Sequence, residues 1–186
     1  MPGPVETEVK LRASGPEAAR AAVLRLGARL ERARHFEDNV ILDDAAGSLR
    51  ARGAILRLRR VPGGGALTYK GPRPDEEGLK VREERETAVA DPDALLVILE
   101  DLGLRPVFRY QKYREAYRWR GQEIDVDETP IGTFLEIEGD PEGIHAAAAA
   151  LGFAPADYVS ESYIGLFLAG GGRGDMVFPV SGSPRR

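Results

Sequence analysis

Val5-Glu6-Thr7-Glu8-Val9-Lys10-Leu11 sets Glu6, Glu8 and Lys10 at alternate positions, with apolar or small residues between them. Successive side chains of an extended strand point to opposite faces, so two carboxylates and an ammonium share one surface and the other is nearly apolar. The same two-faced alternation recurs along the chain. Arg57 and Arg59 alternate with Leu56 and Leu58. Lys70 follows Thr68 with Leu67 and Tyr69 opposite, and Glu136 and Glu138 alternate with Leu135 and Ile137. Asp125 lies between Ile124 and Val126, with Asp127 on the same face, and Lys112 and Arg114 flank Tyr113. Arg82, Glu84 and Glu86 share a face too, although Glu83 and Arg85 opposite them leave that strand's register the least defined.

For one such strand, an ordinary solvated sheet face is the better explanation. Solvated faces usually mix charges with Thr, Ser and Gln, however, whereas here both alternate positions are charged in several strands. Closing the sheet into a barrel would turn these stripes into one lining, with the apolar stripes outside beneath amphipathic helices. Arg and Lys in such a lumen suit phosphate oxygens, and carboxylates suit a hard divalent cation.

The order of elements favours an antiparallel α+β fold. Pro16 to Leu30 has helical spacing after a capping-box-like Ser14-Gly15-Pro16-Glu17, and an extended segment follows from Arg34 to about Asp44. Strands are expected from Gly53 to Val61, from Ala66 to Gly71 after the Pro62–Gly65 reversal, and over 79–89 after the Pro72–Gly78 turn. A helix runs from Asp91 to Gly103. Three more strands near 106–119, 122–128 and 133–139 precede an alanine-rich helix from Asp140 to Leu151 and a short one over Glu161–Ala169. Residues 1–169 then form one domain, and the glycine-rich stretch 170–186 has the composition of a flexible tail.

At 186 residues the chain suits a single domain, and 26 basic against 30 acidic residues leave no global excess of charge for nucleic acid or a membrane surface. With no cysteine and two histidines, thiolate chemistry and a histidine-rich metal centre are excluded. No signal-peptide pattern or membrane-length apolar run is present, so the expected compartment is the cytoplasm. Gly63-Gly64-Gly65 lacks the Lys-Ser/Thr and helix of a phosphate loop and reads as a hairpin turn; Arg173-Gly174-Asp175 reads as coincidence in a glycine-rich stretch. His35 suits either a phosphate donor or a surface strand start, and Tyr117 and Trp119 suit packing beneath a helix better than stacking on a ligand.

Glu6-Thr7-Glu8-Val9-Lys10 resembles the Glu-x-Glu-x-Lys signature of the CYTH superfamily, the triphosphate tunnel metalloenzymes, which includes class IV adenylyl cyclases, thiamine triphosphatases and inorganic triphosphatases. Specificity comes from its order with Leu56-Arg57-Leu58-Arg59, Thr68-Tyr69-Lys70, Arg82-x-Glu84-x-Glu86, Lys112-x-Arg114, Glu123-Ile124-Asp125 and Gly132-Thr133-Phe134-Leu135-Glu136-Ile137-Glu138. Ser162-Tyr163 also resembles the family's C-terminal helix. The resemblance implies an eight-stranded antiparallel β-barrel, the triphosphate tunnel, with helices packed outside. It implies that Lys10, Arg57, Arg59, Lys70, Arg82, Lys112 and Arg114 bind phosphates. It also implies that Glu6, Glu8, Asp125, Glu136 and Glu138 hold one or two Mg2+ or Mn2+ ions, with Asp127 the alternative to Asp125. Glu84 and Glu86 would sit near a second metal or order the basic residues. Lys10 and Glu138 are the candidate catalytic residues, Lys10 as a proton-transfer group or as a phosphate ligand alone.

The expected reaction is displacement at phosphorus. In a hydrolase, water attacks the terminal phosphorus; in a cyclase, the ribose 3′-hydroxyl of ATP attacks the α-phosphorus and pyrophosphate leaves. Val40–Gly53 offers no aromatic adenine pocket, which favours tripolyphosphate over ATP or thiamine triphosphate. A non-catalytic polyphosphate-binding module and a charged scaffold for another protein are the remaining classes, and the family resemblance makes a homodimer plausible.

Overall fold

A computed structural model describes residues 5–72 and 79–179; most of the expected Pro72–Gly78 turn lies outside them. The strands are β1 (Val5–Ala13), β2 (Arg29–Asp44), β3 (Ile55–Val61), β4 (Gly64–Lys70), β5 (Lys80–Val89), β6 (Leu104–Trp119), β7 (Gln122–Thr129), β8 (Gly132–Glu138) and the two-residue β9 (Tyr158–Val159). Five α-helices accompany them among the described residues: α1 (Pro16–Arg25), α2 (Ser48–Ala51), α3 (Pro92–Asp101), α4 (Pro141–Ala150) and α5 (Tyr163–Ala169).

Every strand pairing is antiparallel. The order β5-β4-β3-β2-β6-β7-β8-β1 closes on itself where β1 also pairs with β5, Glu6 opposite Arg82, giving an eight-stranded barrel. β9 is the extra strand, beside the part of β1 that β5 does not reach. Closure removes the exposed edges that would otherwise template aggregation.

The sidedness is the reverse of an ordinary small barrel. Outward residues Val9, Leu11, Ile124, Val126, Leu135 and Ile137 are buried beneath Ala19 and Val23 of α1 and Ile144, Ala147 and Ala148 of α4. Tyr117 and Trp119 belong to this layer, as helix-packed aromatics. A second layer sets Val40, Leu42 and Leu58 against Leu99 of α3. Each fully buried Leu, Ile or Val contributes roughly 1.5–3 kcal/mol, so the fold draws its stability from outside the barrel and leaves the lumen to polar residues.

Three expectations change. The first helix ends at Arg25, not Leu30: Gly27 adopts φ +83°, and Arg29 and Leu30 already pair with Arg118 and Tyr117. Its N-cap is Gly15, without a side-chain cap, so the expected capping box does not form. The glycine-rich stretch after α5 is not free of partners through Pro179. β6 extends well beyond β7, and residues 175–178 supply partners to the edge so exposed. Met176 donates its N–H to the Arg109 carbonyl (2.9 Å) and accepts from Gln111 N (3.0 Å).

The β2–α2 connection is tied by one carboxylate. Asp43, 3% exposed, accepts from Asp44 N (2.8 Å), Leu49 N (2.9 Å) and Arg50 N (3.0 Å). Asp43→Ala should lower the unfolding free energy by about 1–3 kcal/mol, the cost of leaving buried donors unsatisfied, measured by urea denaturation; an unchanged midpoint would show that the turn holds without it.

Candidate active site

The lumen is a cavity of about 580 Å³. Strand parity places all the expected residues on its wall: Glu6, Glu8 and Lys10 from β1; Arg57 and Arg59 from β3; Lys70 from β4; Arg82, Glu84 and Glu86 from β5. Lys112 and Arg114 come from β6, Asp125 from β7, and Glu136 and Glu138 from β8. Register explains the convergence, because Glu8 lies opposite Glu138 and Lys10 opposite Glu136, which in turn faces Asp125. Going inward along β8, Glu138 and Glu136 give way to Phe134. Along β6, Arg114 and Lys112 give way to Tyr110 and Phe108. Charge lines one stretch, and beyond it Tyr110 of β6 and Tyr163 of α5 join the wall and pack with Phe134 in a buried aromatic cluster.

On the β3–β5 side two cations, Arg59 and Lys70, are held closely by acids, while Arg57 lies 3.7 Å from Glu86. Arg59 reaches Glu86 with a forked contact (2.9 and 2.8 Å), and Lys70 pairs with Glu6 (2.7 Å) and Glu84 (2.6 Å). Arg82 donates to the carbonyls of Gly71 (2.9 Å) and Gly53 (2.6 Å), which ties β5 to the ends of the β3–β4 hairpin. Arg57 is held loosely, by Tyr110 Oη at 3.4 Å and Thr68 Oγ1 at 3.3 Å, and its buried Nε has no acceptor. A guanidinium with an unused donor in a cavity is poised for an anion.

Asp125 and Asp127 separate by depth. Asp127, 0% exposed, accepts from Lys112 Nζ (2.9 Å), both prongs of Arg114 (2.7 and 2.6 Å) and Tyr163 Oη (2.8 Å). Its lone pairs are committed to arranging those cations. Asp125 touches Arg114 through Oδ2 (2.5 Å) while its buried Oδ1 has no partner. Burial lifts Asp125 to about 7 despite Arg114. Burial and then Glu6 and Glu123 lift Glu138 to about 8, although Glu138 lies at the exposed mouth, where water tempers the effect. Burial would lower the Lys10 ammonium, but Glu136 and Glu8 outweigh it and hold it charged, which makes it a cation and proton donor rather than a base.

The acidic wall therefore carries more carboxylate than it can ionise alone. Its donors are all oxygen, the set that Mg2+ or Mn2+ takes. Among the described residues no three His, Cys, Asp or Glu side chains are already gathered as a metal cage. The partnerless Asp125 oxygen and the clustered Glu6, Glu8, Glu136 and Glu138 fit a cation that would draw them together.

Sequence parity missed two lining tyrosines, Tyr110 and Tyr163, and the buried β2 residues behind the lining. Glu37, 0% exposed, sits between Arg59 (3.5 Å) and Lys112 (3.6 Å), and His35 contacts it through Nε2 (3.3 Å), which ties the histidine to an acid rather than to phosphate or open solvent. Asn39, also 0% exposed, has neither amide atom bonded. Tyr110 and Tyr163 supply hydroxyls to Arg57 and Asp127. The β2 residues were hidden because that strand is polar on both faces and its register against β6 slips three times, twice before Glu37, between Leu30 and Arg32 and between Arg32 and His35, and again between Ile41 and Leu42.

A family model for the CYTH domain matches residues 5–161. The chain belongs to the CYTH domain family. A candidate adenylate cyclase of Methanocaldococcus jannaschii is 28% identical over 135 residues, covering 72% of this chain and 76% of the relative. Among solved structures, the PH1819 protein of Pyrococcus horikoshii superposes with a TM-score of 0.71 at 27% identity, over 89% of this chain and 99% of that one. HpAC1 of Hippeastrum, a candidate adenylyl cyclase with a dominant triphosphatase activity, shares the fold at a TM-score of 0.67 and 24% identity, over 89% and 96% of the two chains.

The acidic wall gives the metal-free CYTH barrel an unusual pH dependence. Asp125 and Glu138 hold protons more tightly when folded than their ordinary values of 3.8 and 4.5, and His35 is raised by its contact with Glu37. Between about pH 5.5 and pH 8, above the range where the lowered carboxylates titrate, these groups leave the native state with more bound protons than the unfolded chain, and their contribution to stability falls as pH rises. In chelator, the melting temperature should be higher at about pH 5.5 than at about pH 8, with Mn2+ or Mg2+ narrowing the gap; a melting temperature that rises with pH over that interval would contradict these assignments.

Proposed function

We propose that this chain is a divalent-metal-dependent hydrolase of a small triphosphate, with tripolyphosphate the substrate that the lumen suits best. The observation that carries the reading is that two charged residues of the cavity wall keep buried atoms without partners: a donor without an acceptor, Arg57 Nε, and an acceptor without a donor, Asp125 Oδ1. A metal–triphosphate complex supplies both, presenting phosphate oxygen to the guanidinium and cation to the carboxylate.

Glu6, Glu8, Asp125, Glu136 and Glu138 would hold the metal. Bound there, it would supply charge neutralisation at the phosphates and a more acidic attacking water. Arg57, Arg59, Lys70, Lys112 and Arg114 would bind the phosphate oxygens, with Lys10 beside them and Arg82 of β5 at the ends of the β3–β4 hairpin. Glu84 and Glu86 are assigned to ordering Lys70 and Arg59, with which they pair. Water oxygen forms a bond to the terminal phosphorus as the bridging P–O bond breaks. Tripolyphosphate gives orthophosphate and pyrophosphate, and the water's proton passes to the wall or to solvent. Lys10, held charged by Glu136, would stabilise charge on the transferred group or protonate the leaving oxygen. A barrel of the same fold with dominant triphosphatase activity supports this reading.

ATP cyclisation is the second reading. The Methanocaldococcus relative's name favours it, as do apolar positions Val5, Ile41 and Ile55 in the cavity wall, where an organic group would be accommodated.

Incubation with tripolyphosphate, ATP and thiamine triphosphate, each with Mg2+ or Mn2+, separates the outcomes. Orthophosphate release from tripolyphosphate supports the hydrolase. Cyclic AMP with stoichiometric pyrophosphate would replace it by the cyclase, and tight metal-independent binding without turnover would leave a binding module. Asp125→Asn should lower kcat by about 100-fold or more while metal-free tripolyphosphate affinity changes little, whereas Arg57→Ala should cost about 2–5 kcal/mol of binding. Full turnover in both variants would refute the assignment.

A further inference from the structure

Residues after α5 lie beyond the stretch that matches the CYTH model, yet they pack against two tyrosines of the lumen wall, Tyr110 and Tyr163. Gly171, at φ +83°, turns the chain off the helix, and Gly172 donates to the Phe167 carbonyl (2.9 Å). A Cβ on Gly172 would sit 2.4 Å from the Phe167 ring, so glycine is required for the segment to pass. Asp175 Oδ1 then accepts from Arg109 N (2.9 Å), Met176 bonds on either side of Tyr110, and Phe178 N donates to the Gln111 side chain (3.1 Å). The Phe178 ring rests 5.4 Å from that of Tyr113.

Met176 is completely buried in a cluster with Tyr110, Phe134 and Tyr163. Two of these rings carry hydroxyls that reach the charged part of the lumen. Tyr110 touches Arg57, and Tyr163 donates to Asp127, which holds Lys112 and Arg114. One buried side chain of the strap thus backs both tyrosines, and through them three cations.

We propose that residues 171–179 form a strap that positions Tyr110 and Tyr163, and that Met176 is a positioning residue for triphosphate binding. The proposal rests on the triphosphate reading above. In it the strap leaves the chemistry alone and sets the placement of Arg57, Lys112 and Arg114, so its loss changes affinity rather than the chemical step.

The test uses full-length protein and two variants that disturb the strap differently. Met176→Ala removes the side chain, and Gly172→Ala displaces the backbone. Calorimetric binding of tripolyphosphate with Mg2+ should weaken in both by between about 2-fold and about 30-fold, the range for substitutions that act through packed neighbours. KM should rise with kcat nearly unchanged, and Met176→Leu should restore affinity. A lowered melting temperature with unchanged affinity in both variants would reduce the strap to a structural role and overturn the proposal. Failure of the unaltered protein to bind tripolyphosphate would overturn the triphosphate reading and the strap together, whereas normal binding by the unaltered protein and both variants would overturn the strap alone.

Discussion

A charge enclosed by a barrel must find its counter-charge inside the same barrel. Removing a carboxylate or ammonium from water costs several kcal/mol unless a partner and further hydrogen bonds compensate it. Asp127 meets that constraint most completely, with Lys112, Arg114 and Tyr163 all donating to it. Glu37 and Glu86 do the same between strands, the first bridging Arg59 and Lys112, the second holding Arg59. These acids are the internal framework of the lumen, and they fix several cations in space before any ligand arrives.

Among the buried polar atoms left without a hydrogen-bond partner, two belong to charged residues of the cavity wall to which the proposed function assigns phosphate and metal. Arg57 keeps a buried donor without an acceptor, and Asp125 keeps a buried acceptor without a donor. Further pairing within the barrel would have neutralised both. Both residues line a cavity of about 580 Å³, large enough for a small polyanion with its counter-cation, and under the proposed function a metal and a phosphate chain would together satisfy what the protein leaves open. Placing the hydrophobic layers outside, under α1, α3 and α4, is what makes this possible, because folding stability does not depend on filling the lumen.

Much of this was legible in the sequence because a strand has a period of two. Leu56-Arg57-Leu58-Arg59 and Leu135-Glu136-Ile137-Glu138 disclose their inner and outer faces without any structure, and their inner residues do line the lumen. β2 did not disclose its faces. Its register slips shift parity within a run that is polar on both sides, so Glu37 and Asn39 gave no signal. Asp125 and Asp127 share a face, and only depth distinguishes the acid free to take a ligand from the acid that organises cations. The segment after α5 read as a tail because composition says nothing of the unpaired β6 edge, a feature that exists only once β6 and β7 are known to differ in length.

The central claim is that metal and triphosphate enter together between Asp125 and Arg57. Anomalous diffraction from crystals soaked with Mn2+ and tripolyphosphate tests it most directly. The account predicts a manganese peak within about 2.0–2.6 Å of Asp125 Oδ1 and of phosphate oxygens, with Arg57 Nε donating to the phosphate chain. Manganese bound only outside the barrel, with the lumen free of phosphate, would contradict it.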